Sequence, residues 1–360
     1  MPYTANFFHD GTVFNNFFCG SEFTYPSVPS YLTGLRSTHH KMLNINAYFP
    51  ISQDITLLPE IFNRNGYLTA KIGNDTTPQE GYLRGTDRYV FGYDNQHLKA
   101  PEIVNEIIDH IEAFKGTDLF IYSEFMDLHH VAGYWPLSIA VQANSPRYLS
   151  EVDNEGGSSL YQTYSPNRVE VYKCQLKYLD LHLEALYDYL RANYRKEDIV
   201  VALFSDHGNS FNMAQQTPIM SEDRINVPFM VYGGEVPAVQ TYEFAESIDY
   251  RHIITKLAGI KDASIDQDDG QLPKIFGGSS EKEWIFSQSL FPDRPYAATI
   301  ISKHYRFYLQ SSEMVQNDCR INLNNSAVML LDSKGNKIYD NAIIADCIGK
   351  VKDILQDFLI

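Results

Sequence analysis

The sequence predicts an α/β fold: a mostly parallel central sheet flanked by helices, then a small antiparallel sheet and a closing helix. Two observations carry this. Amphipathic helical patterns alternate with continuous apolar runs through the first part of the chain, whereas short strand-like segments without helices between them dominate the last part. The change of pattern divides the chain into a core over residues 1–275 and a C-terminal antiparallel subdomain over 276–360. No Pro/Gly linker separates the two, so the tail is expected to pack on the core.

The first clear helix is expected from Pro101 to Phe114, where Ile103, Ile107, Ile108, Ile111 and Phe114 share a face and Pro101 suits the first turn. A longer one is expected from Asn167 to Tyr194, with Tyr172, Leu176, Leu179, Leu183, Leu186 and Leu190 forming one stripe. TDLFIYSEFMD follows the first helix and DIVVALFSDHG the second, with NVPFMVYGG soon after. Apolar runs placed this way read as buried parallel strands, and such sheets bind ligands beyond the carboxyl ends of their strands. Asp127, Asp206 and His207 fall there. In the tail, WIFSQSL, YAATIIS, YRFYLQ and AVMLLD read as strands, the last leading to a turn at Lys334–Gly335. A closing helix near Ala345–Leu359 has Ile348, Val351, Ile354, Leu355 and Phe358 on one side.

Composition narrows the function classes. The 360 residues are 44% hydrophobic and 21% charged, which is globular rather than disordered. A net charge of −16 with scattered lysines and arginines lacks the basic stripe of a nucleic-acid binder. A phosphorylated substrate would then depend on local positive charge, above all a metal ion. Cys19, Cys174, Cys319 and Cys347 show no zinc-ribbon or redox spacing. No signal peptide or membrane-spanning apolar run is read from the sequence.

Three segments can carry chemistry. In FTYPSVPSYLTGL, Thr24 and Ser27 precede a helix expected to begin between Val28 and Leu32, so either is a helix cap or a hydroxyl facing the positive helix end. In FSDHG, Asp206 and His207 are a carboxylate–imidazole pair suited to Zn²⁺ or Mn²⁺, or a plain Asp-Gly type turn. In MDLHH, Asp127, His129 and His130 offer a substrate ligand, a general acid or ordinary hydrogen-bonding side chains.

In this order the segments resemble the sulfatase and alkaline phosphatase superfamily. TYPSVPSYLTG is similar to its C/S/T-x-P-S nucleophile motif, with Thr24 as nucleophile. NGYLTAKIG, RGTDRYVFGYD, FMDLHH, FSDHG, NVPFMVYG and IDYRHIITKLAGI resemble its later motifs in sequence. The resemblance implies an alkaline phosphatase-like fold, Thr24 and His129 as catalytic residues, and a divalent metal on Asp206, His207 and Thr24, zinc or manganese rather than calcium or magnesium. Ser27, Asp127 and His130 are implied as substrate-binding or supporting residues. It also implies a small-molecule or envelope-polymer ester as substrate and a place outside the cytoplasm. Relatives open with a strand ending in acidic metal ligands, and this sequence begins at Met1–Pro2, past that strand.

Departures from the pattern direct the choice of reaction. Threonine cannot be converted to the formylglycine of sulfatases. Val28, Asn74 and Thr76 stand where sulfatases place an arginine, a lysine and a histidine. Thr24 with its downstream S-V-P is nearest to phosphoethanolamine transferases and lipoteichoic acid synthases. The leading expectation is therefore a metal-dependent phosphoester transferase or hydrolase. A sulfuric ester hydrolase and a truncated or degenerate non-catalytic binding member are the alternatives.

Overall fold

The computed structural model describes residues 1–43, 50–73, 83–92, 98–129, 166–209, 220–279, 281–291 and 294–360. His130, Asn74 and Thr76 lie outside the described residues. The chain opens with α1 (Pro2–Phe7), β1 (Thr12–Phe14) and β2 (Phe17–Phe18), then α2 (Thr24–Thr33), α3 (Ser37–His40) and α4 (Leu58–Arg64). β3 (Leu68–Gly73), β4 (Arg88–Phe91), α5 (Ala100–Ala113) and β5 (Leu119–Ser123) follow. Next come α6 (Pro166–Asn193), β6 (Val200–Phe204), α7 (Glu222–Ile225), β7 (Phe229–Gly233), β8 (Val239–Thr241), β9 (Ala245–Glu246) and α8 (Tyr250–Leu257). The tail holds β10 (Trp284–Ser289), β11 (Pro295–Ser302), β12 (Tyr305–Met314), β13 (Ala327–Asp332) and α9 (Asn341–Leu355).

This is the expected α/β architecture with parallel pairing, an antiparallel C-terminal sheet and a closing helix. β4–β3–β5 is wholly parallel, and β6–β7–β1–β8 is mixed. One expectation is corrected: β7 runs antiparallel to both β6 and β1, with Phe204 opposite Phe229 and Phe229 opposite Phe14. Its chain enters at the sheet edge where β6 leaves, and the described part of the connection carries only the four-residue α7 rather than a crossover helix. β5 and β6 send alternate residues into the same two cores. Phe120, Ala202 and Phe204 join one, while Ile121, Val201 and Leu203 join the other. β5 and β6 are terminal strands in their sheets, which accounts for their half-buried rather than fully buried side chains.

Two helical stripes also shift. On α6 the buried row runs through Arg168, Val171 and Gln175, leaving Tyr172 and Leu176 half-buried, because the Gln175 amide donates to the Asp127 carbonyl at 2.6 Å. Phe114 is exposed, since α5 ends one residue earlier and the ring tilts against His110. Residues of α1 are tied to α6 through Asp180, which accepts from Thr4 N at 2.9 Å and Thr4 Oγ1 at 2.7 Å.

The C-terminal sheet has order β10–β11–β12–β13. Its strands alternate between faces: Ile285, Ala297 and Ile301 enter the main core, while Phe286, Ala298 and Ile300 pack with Cys347, Val351 and Leu355 of α9. A buried charge cluster fastens it further. Glu246 of β9 accepts from Arg36 Nη1 at 3.0 Å, Lys282 Nζ at 2.5 Å and Phe286 N at 3.0 Å. Burial alone would raise the Glu246 pKa, but the charges of Arg36 and Lys282 outweigh it and hold the carboxyl at about 2. The folded value lies below an unfolded value of about 4.3, so the stability it contributes is full above that pH and is lost as pH falls toward 2. Glu246→Gln should therefore lower stability by about 3–5 kcal/mol at pH 7, and the gap should narrow as pH falls below about 4. Urea midpoints of both proteins across that range check this, and a gap that stays constant contradicts it.

Candidate active site

Helix α2 begins at Thr24, four residues earlier than the sequence pattern implied, because Pro26 sits in the first turn where a missing N–H costs nothing. The helix stops at Gly34, whose φ of 71° is the left-handed cap that glycine adopts without strain. Phe23, not Thr24 or Ser27, is the N-cap, and neither hydroxyl caps the helix. Both instead face the loop after β6. Thr24 Oγ1 donates to Asp206 Oδ2 at 2.6 Å and lies 3.2 Å from His207 Nε2. Ser27 Oγ donates to the Asp206 carbonyl at 2.6 Å. Tyr31 OH donates to the Ser205 carbonyl at 2.8 Å, while its ring stacks on Phe204 at 4.4 Å. Positions 24, 27 and 31 follow the i, i+3, i+7 spacing of one helical face, so one stripe of α2 grips Ser205–Asp206. Tyr31 was missed from sequence, although that spacing from Thr24 was its signal.

The loop is also braced from within. Ser205 Oγ donates to the His207 carbonyl at 2.9 Å, and His207 N donates to Asp206 Oδ1 at 2.9 Å. Gly208 N donates to the Arg224 carbonyl at 2.8 Å, and a Cβ on Gly208 would meet that oxygen at 2.7 Å, so a larger residue does not fit. His207 Nδ1 lies 2.8 Å from the Gly208 carbonyl. A carbonyl only accepts, so Nδ1 carries a proton, and in the singly protonated ring Nε2 turns its lone pair toward Thr24. The single Thr24 proton thus has two acceptors within reach, the nearer being Asp206. The His207 side chain is 8% exposed and that of Asp206 28%, so solvent reaches the site mainly at the carboxylate.

Asp127 and His129 stand in the turn after β5. Among the described residues neither Thr24 nor the Asp206–His207 pair hydrogen-bonds to them. Burial raises the Asp127 pKa, opposed by a hydrogen bond from the Ala100 backbone at the start of α5. That contact sets its carboxyl beside the amino end of α5. The His129 backbone N–H donates to the Met126 carbonyl at 3.0 Å. Nearer the site, Tyr122 of β5 approaches Phe204 with ring centroids 6.4 Å apart, and its hydroxyl donates to Glu124 at 2.9 Å. Lys71 of β3 pairs with the same carboxylate at 3.3 Å.

Among the described residues no group of three His, Cys, Asp or Glu side chains is placed to hold a metal. The Asp206 Oδ2, His207 Nε2 and Thr24 Oγ1 atoms nevertheless converge, with Oδ2 and Nε2 3.4 Å apart. That spacing and the 3.2 Å between Nε2 and Oγ1 match the separation of about 3.4 Å expected between tetrahedral donors ~2.1 Å from one cation. The 2.6 Å between Oγ1 and Oδ2 is a hydrogen bond and would open if a cation replaced the proton. In chemistry and in two of three spacings the donors fit zinc or manganese. No described helix is long and apolar enough to cross a membrane.

Solved structures share this architecture. A phosphonate monoester hydrolase from Silicibacter pomeroyi matches at 14% identity and TM-score 0.68, covering 99% of this chain and 90% of that one. A Bacteroides thetaiotaomicron protein described with the metabolism of multiple glycosaminoglycans matches at 13% identity and TM-score 0.74, covering 99% and 89%. A 2-O glycosaminoglycan sulfatase matches at 13% identity and TM-score 0.65, covering 99% and 86%. At these identities the likeness speaks for the fold. No curated protein matches the sequence. The sulfatase family model spans residues 1–260, taking in α2 and the β6 loop. By that match and this fold, the chain belongs to the sulfatase family of hydrolases, with an alkaline phosphatase-like architecture.

Proposed function

We propose that the chain is a phosphoester hydrolase or transferase with Thr24 as nucleophile. The observation that carries this is the Thr24 hydroxyl hydrogen-bonded to Asp206 and in reach of the His207 lone pair at the first residue of α2. A hydroxyl between two bases is poised to lose its proton as its oxygen attacks. The attack forms an O–P bond at Thr24 Oγ1, passes the proton to Asp206 or His207, and breaks the bond to the leaving oxygen. Water or a second hydroxyl then takes the phosphoryl group from threonine. The positive end of the α2 dipole favours the anionic phosphoryl oxygens. His129, in the turn after β5, is the group we assign to orient substrate or protonate the leaving oxygen.

Asp206, His207 and Thr24 are the residues that would hold a divalent cation. Bound there, it would supply positive charge to the phosphoryl oxygens and a more acidic threonine hydroxyl. Titration with Zn²⁺ or Mn²⁺ should show weak binding, since a catalytic zinc generally has three protein ligands beside its open position and only two firm ones are described. Tight one-to-one binding would contradict this donor set and require a further ligand.

The substrate we infer is a small-molecule or polymer phosphoester. Sulfuric ester hydrolysis is the second reading, favoured by family membership. Against it stand the threonine and Val28, which is 3% exposed and packed in the core where it cannot touch an anion. Aryl phosphate turnover that disappears in Thr24→Ala tests the reading. Turnover indifferent to that change contradicts it.

A further inference from the structure

Residues 19–23, which lead into Thr24, run beside the end of β10. Ser287 Oγ donates to the Cys19 carbonyl at 2.5 Å, and Gln288 N donates to the Gly20 carbonyl at 3.0 Å. Ser289 Oγ donates to Glu22 Oε1, and Ser21 Oγ donates to Glu22 Oε2 at 3.0 Å. Phe291, beyond the strand, packs edge-on against Phe23 with centroids 5.7 Å apart. Successive residues of the C-terminal segment therefore track successive residues of the approach, up to the residue before the nucleophile. At the centre is a carboxylate 1% exposed, two residues from Thr24, with a serine on each oxygen. A buried carboxylate is costly unless hydrogen-bonded, so its place in this short segment fixes the geometry of the segment.

We propose that Glu22, clamped by Ser289 of β10, is a positioning residue that sets where the Thr24 hydroxyl stands relative to Asp206 and His207. The C-terminal sheet is thereby part of the catalytic apparatus although it touches no reacting atom. The proposal rests on the Thr24 reading for its kinetic consequence and on geometry alone for its structural one. Phe23 is extended, with φ −137° and ψ 142°, and hands the fixed direction of residues 19–22 to the first turn of α2. Loss of the clamp lets that direction drift, and a misplacement of about 1 Å costs about a hundredfold in rate.

The experiment uses the full chain with labelled histidine, with the His207 ring signals assigned by their loss in His207→Gln. Ser289→Ala, Ser289→Thr, Glu22→Ala and Glu22→Gln are compared with the wild type by melting temperature and by the His207 ring resonances. Expected are a shift of the His207 signals in Ser289→Ala and Glu22→Ala and recovery in Ser289→Thr. Where aryl phosphate is turned over, kcat should fall about a hundredfold at little-changed KM. A purely structural role would lower the melting temperature and leave the His207 signals in place, which overturns the proposal. Ser289→Ala removes a single hydroxyl and keeps the test open if Glu22→Ala does not fold. Absence of turnover in the wild type would count against the Thr24 reading, while the His207 resonances would still decide the positioning role.

Discussion

Thr24→Ala should lower aryl phosphate turnover by roughly 10⁴-fold or more, because removing a nucleophile leaves only the binding and electrostatic contributions of the site. The fold should survive. Thr24 is half-buried at the first residue of a helix whose other anchors, Ser27 and Tyr31, keep their hydrogen bonds to the Asp206 and Ser205 carbonyls. Thr24→Ser should retain most of the rate, since it keeps the oxygen and loses only a methyl group. Asp206→Asn should fall between the two, removing the acceptor at 2.6 Å and leaving His207 Nε2 at 3.2 Å as base. Steady-state rates of the four proteins with an aryl phosphate check the order. A mutant Thr24→Ala as fast as the wild type would mean that the turnover does not pass through this residue.

The second large effect is discrimination between esters. Aryl phosphate or bis-aryl phosphodiester should be turned over at least about a thousandfold faster than aryl sulfate. Each charge-assisted hydrogen bond missing from an anion site costs about 1.5–3 kcal/mol, and by the resemblance Val28, Asn74 and Thr76 stand where sulfatases place three charged sulfate ligands. Such losses do not add cleanly, but even the lower figure three times over reaches that factor. A threonine also has no route to formylglycine, so the sulfatase nucleophile is not available at position 24. Rates with the three substrates measure this directly. Aryl sulfate hydrolysis that is present in the wild type and absent in Thr24→Ala would reverse the assignment to a sulfuric ester hydrolase.

Much of the site was legible in the sequence because its parts are contiguous motifs at the ends of predicted elements. FSDHG follows an apolar run, and β6 does deliver Asp206 and His207 to the sheet edge. TYPSVPSYLTG precedes a helix, and α2 does bring Thr24 to them. What local pattern could not show was orientation. Asp127 sits in a chemically suggestive segment, and its carboxyl also meets the backbone at the start of α5, a contact that the segment itself does not announce. The direction of β7 was missed for a related reason. Its apolar run is the same in either sense, and only the edge at which the chain enters decides it. The α6 stripe slipped because Gln175, a polar residue, is buried to reach the Asp127 carbonyl. The contacts of β10 with residues 19–23 join positions more than 260 apart and leave no periodic trace, so the sequence predicts a tail packed on the core without showing where it touches the core.

Thr24 should become covalently phosphorylated during turnover. Acid quenching of the wild type while it turns over an aryl phosphate, followed by proteolysis and mass spectrometry, tests it most directly. A phosphoryl group is expected on the peptide containing Thr24, enriched in Asp206→Asn if that change slows the second displacement, and absent from Thr24→Ala. A phosphoryl group on a different residue, with turnover persisting in Thr24→Ala, would contradict it.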